Sequence, residues 1–212
     1  MNSSLSDLPS HEGNVSSLVR KNCCQLFMVY AGLWKDFMPS APNFLRHCGI
    51  GNRNLTILRD PQNSFYEYGV SSQINSIEAL AEYQAECIRR MPHVTETYTM
   101  GNSAGGHAAI TFGCLLGVTE VFAFSPSGLR RLPILQDILY RAEGRTRVNV
   151  FFDEMHARDT HYAEALAQCP GVNLVPSNEG YDDGHYVFLG KIERDEMRYV
   201  LPPYRETAWV SP

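Results

Sequence analysis

Short apolar runs exchange with helix-period segments along most of this chain, and that exchange limits its fold more than any other feature. Gln25–Tyr30 is almost wholly apolar and ends in Ala31 and Gly32, the form of a strand buried on both faces. Residues 41–48 suggest a short helix stopped by Gly49, and Asn54–Leu58 suggests a second strand. Residues 74–90 place Ile74, Ile77, Leu80, Ala81 and Ile88 on or near one face of a helix. Further strands are predicted at 94–100, Glu120–Phe124, 148–152 and 172–175, and further helices at Ala104–Leu116, 133–142, 160–168 and 185–198. The class is therefore α/β, with a mostly parallel sheet covered by helices on both faces.

A chain of 212 residues, 44% hydrophobic and 19% charged, suits one soluble domain with a sizeable core. Residues 1–20 read as a polar N-terminal arm, 21–200 as the domain with a short lid insertion at 126–146, and 201–212 as a tail. A net charge of −5 and the lack of a basic stripe argue against a nucleic-acid partner. Arg130, Arg131, Arg141, Arg145 and Arg147 read as solvated lid or helix-end residues. No run reaches the length of a membrane span and no N-terminal stretch has the form of a secretory signal, so the expected location is cytoplasmic, with no membrane partner. The six cysteines lack metal or redox spacing and read as reduced core thiols. No cofactor is implied. The histidines and carboxylates of 153–161 lack a His-Glu-x-x-His arrangement, so no metal is expected there. Arg59 and Asp60 read as a loop salt bridge.

The chemistry-bearing residues fall after strands, where parallel sheets bind ligands. Ser103 sits in Gly101-Asn102-Ser103-Ala104-Gly105-Gly106, between a strand and a helix. Small residues on both sides let the chain turn sharply there, which holds a serine hydroxyl out toward a base. Asp153 and Asp159 follow the next strand but one, and His185 follows the last strand. A histidine that takes the serine proton, and a carboxylate that holds the histidine's tautomer, would complete a nucleophilic triad. Asp159 is the favoured acid; Asp153, Glu154 and Asp183 stay open, and the plain alternative for Asp159 is a helix N-cap. Ala104 N–H, at the positive end of its helix, is one candidate oxyanion donor. The other belongs to the loop 31–34 after the first strand. His107 is read as facing the helix interior or a pocket wall.

With Ser103-Ala104-Gly105-Gly106, the acidic loop after residue 152 and Gly184-His185-Tyr186-Val187, the chain resembles the α/β-hydrolase superfamily over about residues 25–198. Ser103–Ala109 and Val121–Pro126 bring it nearer to a group of small bacterial hydrolases found near polysaccharide or secondary-metabolite pathways. The resemblance implies a compact form of that fold with reduced N-terminal strands. It implies Ser103, Asp159 and His185 as the triad, and Leu33 with Ala104 as the oxyanion hole. Gly32, Trp34 and Asn102 are the candidate substrate contacts, the plainer readings being a strand-ending turn for Gly32 and core packing for Trp34. The implied activity is cleavage of an ester, thioester or amide in a small-molecule or carrier-bound acyl substrate through an acyl-enzyme. Acyl transfer on the same triad, or a non-catalytic scaffold on this fold, are the alternatives.

Overall fold

In the computed structural model, which describes residues 13–32, 46–178 and 187–202, seven strands form one sheet. They are β1 (Val15–Leu18), β2 (Gln25–Tyr30), β3 (Asn54–Leu58), β4 (Glu96–Asn102), β5 (Glu120–Phe124), β6 (Arg147–Asp153) and β7 (Val172–Ser177). Their order across the sheet is β1-β3-β2-β4-β5-β6-β7, with β1 antiparallel to β3 and every other pair parallel.

The period-2 alternation of side chains sorts the core into two layers. Leu26, Met28 and Tyr30 of β2 join one cluster with Val121, Ala123, Val148 and Val150, while Phe27 and Val29 join the other with Met100, Phe122, Phe124 and Phe151. The first layer is roofed by α1 (Ile77–Arg89), α2 (Ala104–Leu116), α3 (Leu132–Ala142) and α4 (Ala157–Leu166). The second is closed by Cys48, Ile50 and the helices α5 (Val187–Glu193) and α6 (Met197–Val200). Both faces of the sheet are thus covered, as all-parallel strands require. Helix α1 starts at Ile77 because the Ser76 side chain accepts the Ala79 N–H at 3.1 Å. Edge strand β7 is only half-buried and carries Pro176, a residue that edges tolerate.

Three local features differ from the sequence reading. The polar arm supplies a strand: Val15 is buried, Asn14 Nδ2 donates to Val70 O at 2.9 Å, and Arg20 N donates to Asn54 Oδ1 at 2.6 Å. The closing helix over 185–198 is two helices, because Asp195 turns left-handed (φ 56°) and Glu196 N caps back on Lys191 O at 2.8 Å. Most of 126–146 is the crossover from β5 to β6. Helix α3 lays Leu132, Leu135, Leu139 and Ala142 into the core, which leaves only the stretch before it, including the 3-10 turn Leu129–Arg131, beside the sheet's carboxyl edge. All six cysteines are free, and five of them are buried.

Chain direction reverses between β2 and β4. From β2 the chain moves outward to β3, and from β4 it moves the other way to β5. The crevice at the carboxyl ends of β2 and β4 is therefore the topological switch point of the sheet.

Candidate active site

Ser103 stands in that crevice. It follows β4 directly, with φ 56° and ψ −122°, a backbone conformation that a residue with a side chain adopts at a cost of about 1–3 kcal/mol. Surrounding structure holds it there. Ser103 N donates to Phe124 O at 2.9 Å, and Ser103 O accepts from His107 N at 3.1 Å and from Ser127 N at 3.2 Å. The flanking glycines permit the close approach that the turn needs: a Cβ on Gly101 would lie 2.2 Å from Gly105 O, and one on Gly105 would lie 2.3 Å from Tyr30 O. Gly32, at the end of β2, has no room for much more, since a Cβ there would lie 3.2 Å from Asn102 O and 3.8 Å from the Ser103 Cβ. The chain after β2 and the turn after β4 therefore meet beside the serine.

Above Ser103 the first turn of α2 presents the N–H groups of Ala104, Gly105 and Gly106, none of which has an acceptor among the described residues. Together with the helix dipole they form a positive end aimed at the crevice. Asn102 Oδ1 is likewise buried without a partner among the described residues. Leu33, Trp34, Asp183 and His185 lie outside the described residues.

The two leading acid candidates are placed differently. Asp153 ends β6 and is fully buried; Oδ1 accepts the Met155 N–H at 2.9 Å, and Oδ2 has no partner among the described residues. Asp159 is also buried, but it stands inside the first turn of α4 with its carboxylate 2.9 Å from His156 Nδ1. It is not the N-cap, a position taken by His156. Glu154 is exposed.

Several residues near the serine carry no signal in the sequence. Ser127 Oγ lies 3.3 Å from Ser103 Oγ. Arg131 is not a solvated arginine: it makes a two-pronged pair with Glu67, at 2.6 and 3.0 Å, and its guanidinium sits 4.3 Å from the centre of the Phe65 ring. Asp60, instead of pairing with Arg59, accepts the N–H groups of Gln62, Ser64 and Tyr66 at 2.6–3.0 Å. That turn carries Phe65 and Tyr66 in left-handed backbone conformations, with the Phe65 ring edge-on to His107.

His107, one turn into α2, is the hub of these contacts. Its Nδ1 is 2.8 Å from Tyr162 Oη on α4, the helix that carries Asp159. Burial, helped by the nearby Arg131 charge, lowers its pKa from 6.5 to about 4, against opposing effects of Glu67 and a hydrogen bond to the Ser127 backbone. The neutral ring is thus what the fold accommodates. An unfolded chain protonates the ring near pH 6.5, so its contribution to stability is whole above that pH and drains as pH falls toward 4. The loss amounts to roughly 3 kcal/mol. Denaturant titrations at a series of pH values should therefore show a shallower acid-side fall for His107→Gln than for the native protein. Parallel profiles would remove His107 from the account.

No protein-family model matches the chain, and no curated protein matches it in sequence. Solved structures do match. The chain is similar to a predicted CIB-like hydrolase from Thermoplasma acidophilum, at 17% identity over 91% of each chain with a TM-score of 0.59. It is also similar to Est1E from Butyrivibrio proteoclasticus, at 12% identity over 88% of this chain and 92% of that one (TM-score 0.55). A carboxylesterase from Bacillus subtilis matches at 13% identity over 88% of this chain and 85% of that one (TM-score 0.58). With its mostly parallel seven-stranded sheet, the chain has the α/β-hydrolase fold.

Proposed function

We propose that the protein is a serine hydrolase that cleaves an ester, thioester or amide through an acyl-enzyme on Ser103. The observation that carries the reading is the strained turn at Ser103, set at the switch point of the sheet beneath three amides that have no acceptor among the described residues. Strain of this kind persists where the surroundings over-determine it, and sites of chemistry are where it collects. The structural neighbours named as esterases or hydrolases lean the same way.

In the proposed reaction His185 takes the Ser103 proton while Oγ attacks the acyl carbon. The Ala104 N–H, with Leu33 N–H as its partner, holds the oxyanion. The His185 imidazolium then protonates the leaving group, and water attacks the acyl-enzyme with His185 again as base. Asp159 holds His185 in the tautomer this needs. Gly32 keeps the floor beside Ser103 open, and Trp34 and Asn102 meet the substrate. With α3 folded into the core, little of the chain between β5 and β6 stands over Ser103, which suits an extended or carrier-bound acyl group as well as a small one.

A fluorophosphonate probe tests the reading. It should label the native protein, and peptide mass mapping should place the label on Ser103; folded protein that resists labelling would sink the proposal. The acid is assigned by comparing two variants. Asp159→Asn should lower kcat by about 10³- to 10⁴-fold, because the tautomer of the base is lost. Asp153→Asn, whose carboxylate holds the Met155 turn, should cost about tenfold or less in kcat. The reverse order would transfer the role to Asp153.

A further inference from the structure

The contacts of Ser127 carry an inference that deepens the proposed function and rests on Ser103 being the nucleophile. We propose that the Ser127 hydroxyl is a second catalytic hydroxyl, which donates to Ser103 Oγ as the acyl group leaves it.

The position of Ser127 is imposed from four sides. Its N–H donates to Ser103 O at 3.2 Å, and its Oγ lies 3.3 Å from Ser103 Oγ. His107, anchored to α4 through Tyr162, hydrogen-bonds to its backbone. The next residue, Gly128, has φ 104°, and a Cβ there would lie 2.8 Å from Phe65 Cε1, so the loop is packed against the turn that follows β3. Phe65 itself is held by Arg131 and His107. The backbone that carries this hydroxyl is therefore fixed beside the nucleophile. The 3.3 Å separation is somewhat longer than an ordinary O–H···O bond, as such contacts often are before substrate arrives.

The direction of the bond follows from proton count. Ser103 has one hydroxyl proton, and attack requires it to go to His185. When the base is engaged, Ser103 Oγ can therefore only accept, and Ser127 is the donor. In the acyl-enzyme, Oγ is an ester oxygen and a poor acceptor. In deacylation the bond from the acyl carbon to Oγ breaks and its electron pair moves to Oγ. His185, protonated by the attacking water, returns a proton to that oxygen, and the water's hydroxyl stays on the acyl carbon. As negative charge grows on Oγ the Ser127 hydrogen bond strengthens, so it favours the transition state over the acyl-enzyme. During acylation the same hydrogen bond is already made to the resting Ser103 hydroxyl, so ground state and transition state share it and it gives no such advantage. Ser127 therefore acts on deacylation.

Two rates separate this from a structural role. The enzyme is acylated with p-nitrophenyl acetate, freed of excess ester, and the decay of the acetylated mass is followed; the rate of fluorophosphonate labelling is measured alongside. Ser127→Ala should slow the decay by about tenfold, the size of one neutral hydrogen bond, and leave labelling within about twofold. Ser127→Thr, which keeps a hydroxyl, should restore the decay. Equal slowing of both rates, or an unchanged decay, overturns the proposal. A native protein that carries its label or acetyl group somewhere other than Ser103 overturns the underlying reading instead.

Discussion

Ser103→Ala is expected to lower the turnover of any accepted ester by about 10⁴-fold or more, because members of a triad act as one unit and loss of the nucleophile removes covalent catalysis entirely. Little of that loss should come from folding. Only Oγ is removed, and its sole hydrogen bond among the described residues is the 3.3 Å approach to Ser127. Backbone bonds to Phe124, His107 and Ser127 remain, so the turn keeps its place. The variant should unfold in urea within about 1 kcal/mol of the native protein, in either direction: it loses one weak hydrogen bond and keeps a side chain at φ 56°. Residual activity of the variant should be insensitive to fluorophosphonate. Turnover within tenfold of native, measured on p-nitrophenyl esters and acyl thioesters, would refute Ser103 as nucleophile.

How much of this could be read from the residues alone depends on whether the signal is local. Gln25–Tyr30, Asn54–Leu58, Ala104–Leu116 and Glu120–Phe124 agree with the sequence reading at both ends, because buried runs and a glycine stop are written in consecutive residues. Strand β1 is hidden because only Val15 of its four residues is buried; its place comes from Asn54 and Val70, some thirty to sixty positions away along the chain. The break at Asp195 needs a left-handed residue that no glycine announces. Within the site, Ser103 is legible because the turn demands glycines on both sides of it. The roles of Ser127, Arg131 and Tyr162 are not, since each is defined by a partner 24 to 64 residues distant. Asp153 and Asp159 differ in sequence only by distance from a strand end. Their environments separate them: Asp153 is tied into a turn, and Asp159 stands at the start of a helix beside His156.

The second large effect is expected at Gly105. A methyl group there would lie 2.3 Å from Tyr30 O, 2.8 Å from Ala31 O and 2.9 Å from Ala31 C, all of them backbone atoms of the central strand β2 and its end. Neither side can yield by a rotamer change. Relief requires the start of α2 to move off the sheet, which opens the packing under Tyr30 and draws the amides of Ala104 and Gly105 away from the crevice. Overpacking of a core costs about 1–3 kcal/mol, and a clash with rigid backbone belongs at or above the top of that range. Gly105→Ala should therefore lower stability by about 3 kcal/mol or more in urea unfolding and slow fluorophosphonate labelling in the fraction that folds. Gly101→Ala should match it, since its methyl would lie 2.2 Å from Gly105 O. Gly106→Ala should cost less, because its nearest neighbours stand at 3.1–3.2 Å. Gly117→Ala supplies the control: it caps α2 with φ 63° but faces open space, so only the conformational cost of about 1 kcal/mol applies, and labelling should be unchanged. If Gly105→Ala proved as stable as Gly117→Ala, the tight approach of α2 to β2 would not be what holds Ser103 in its strained turn.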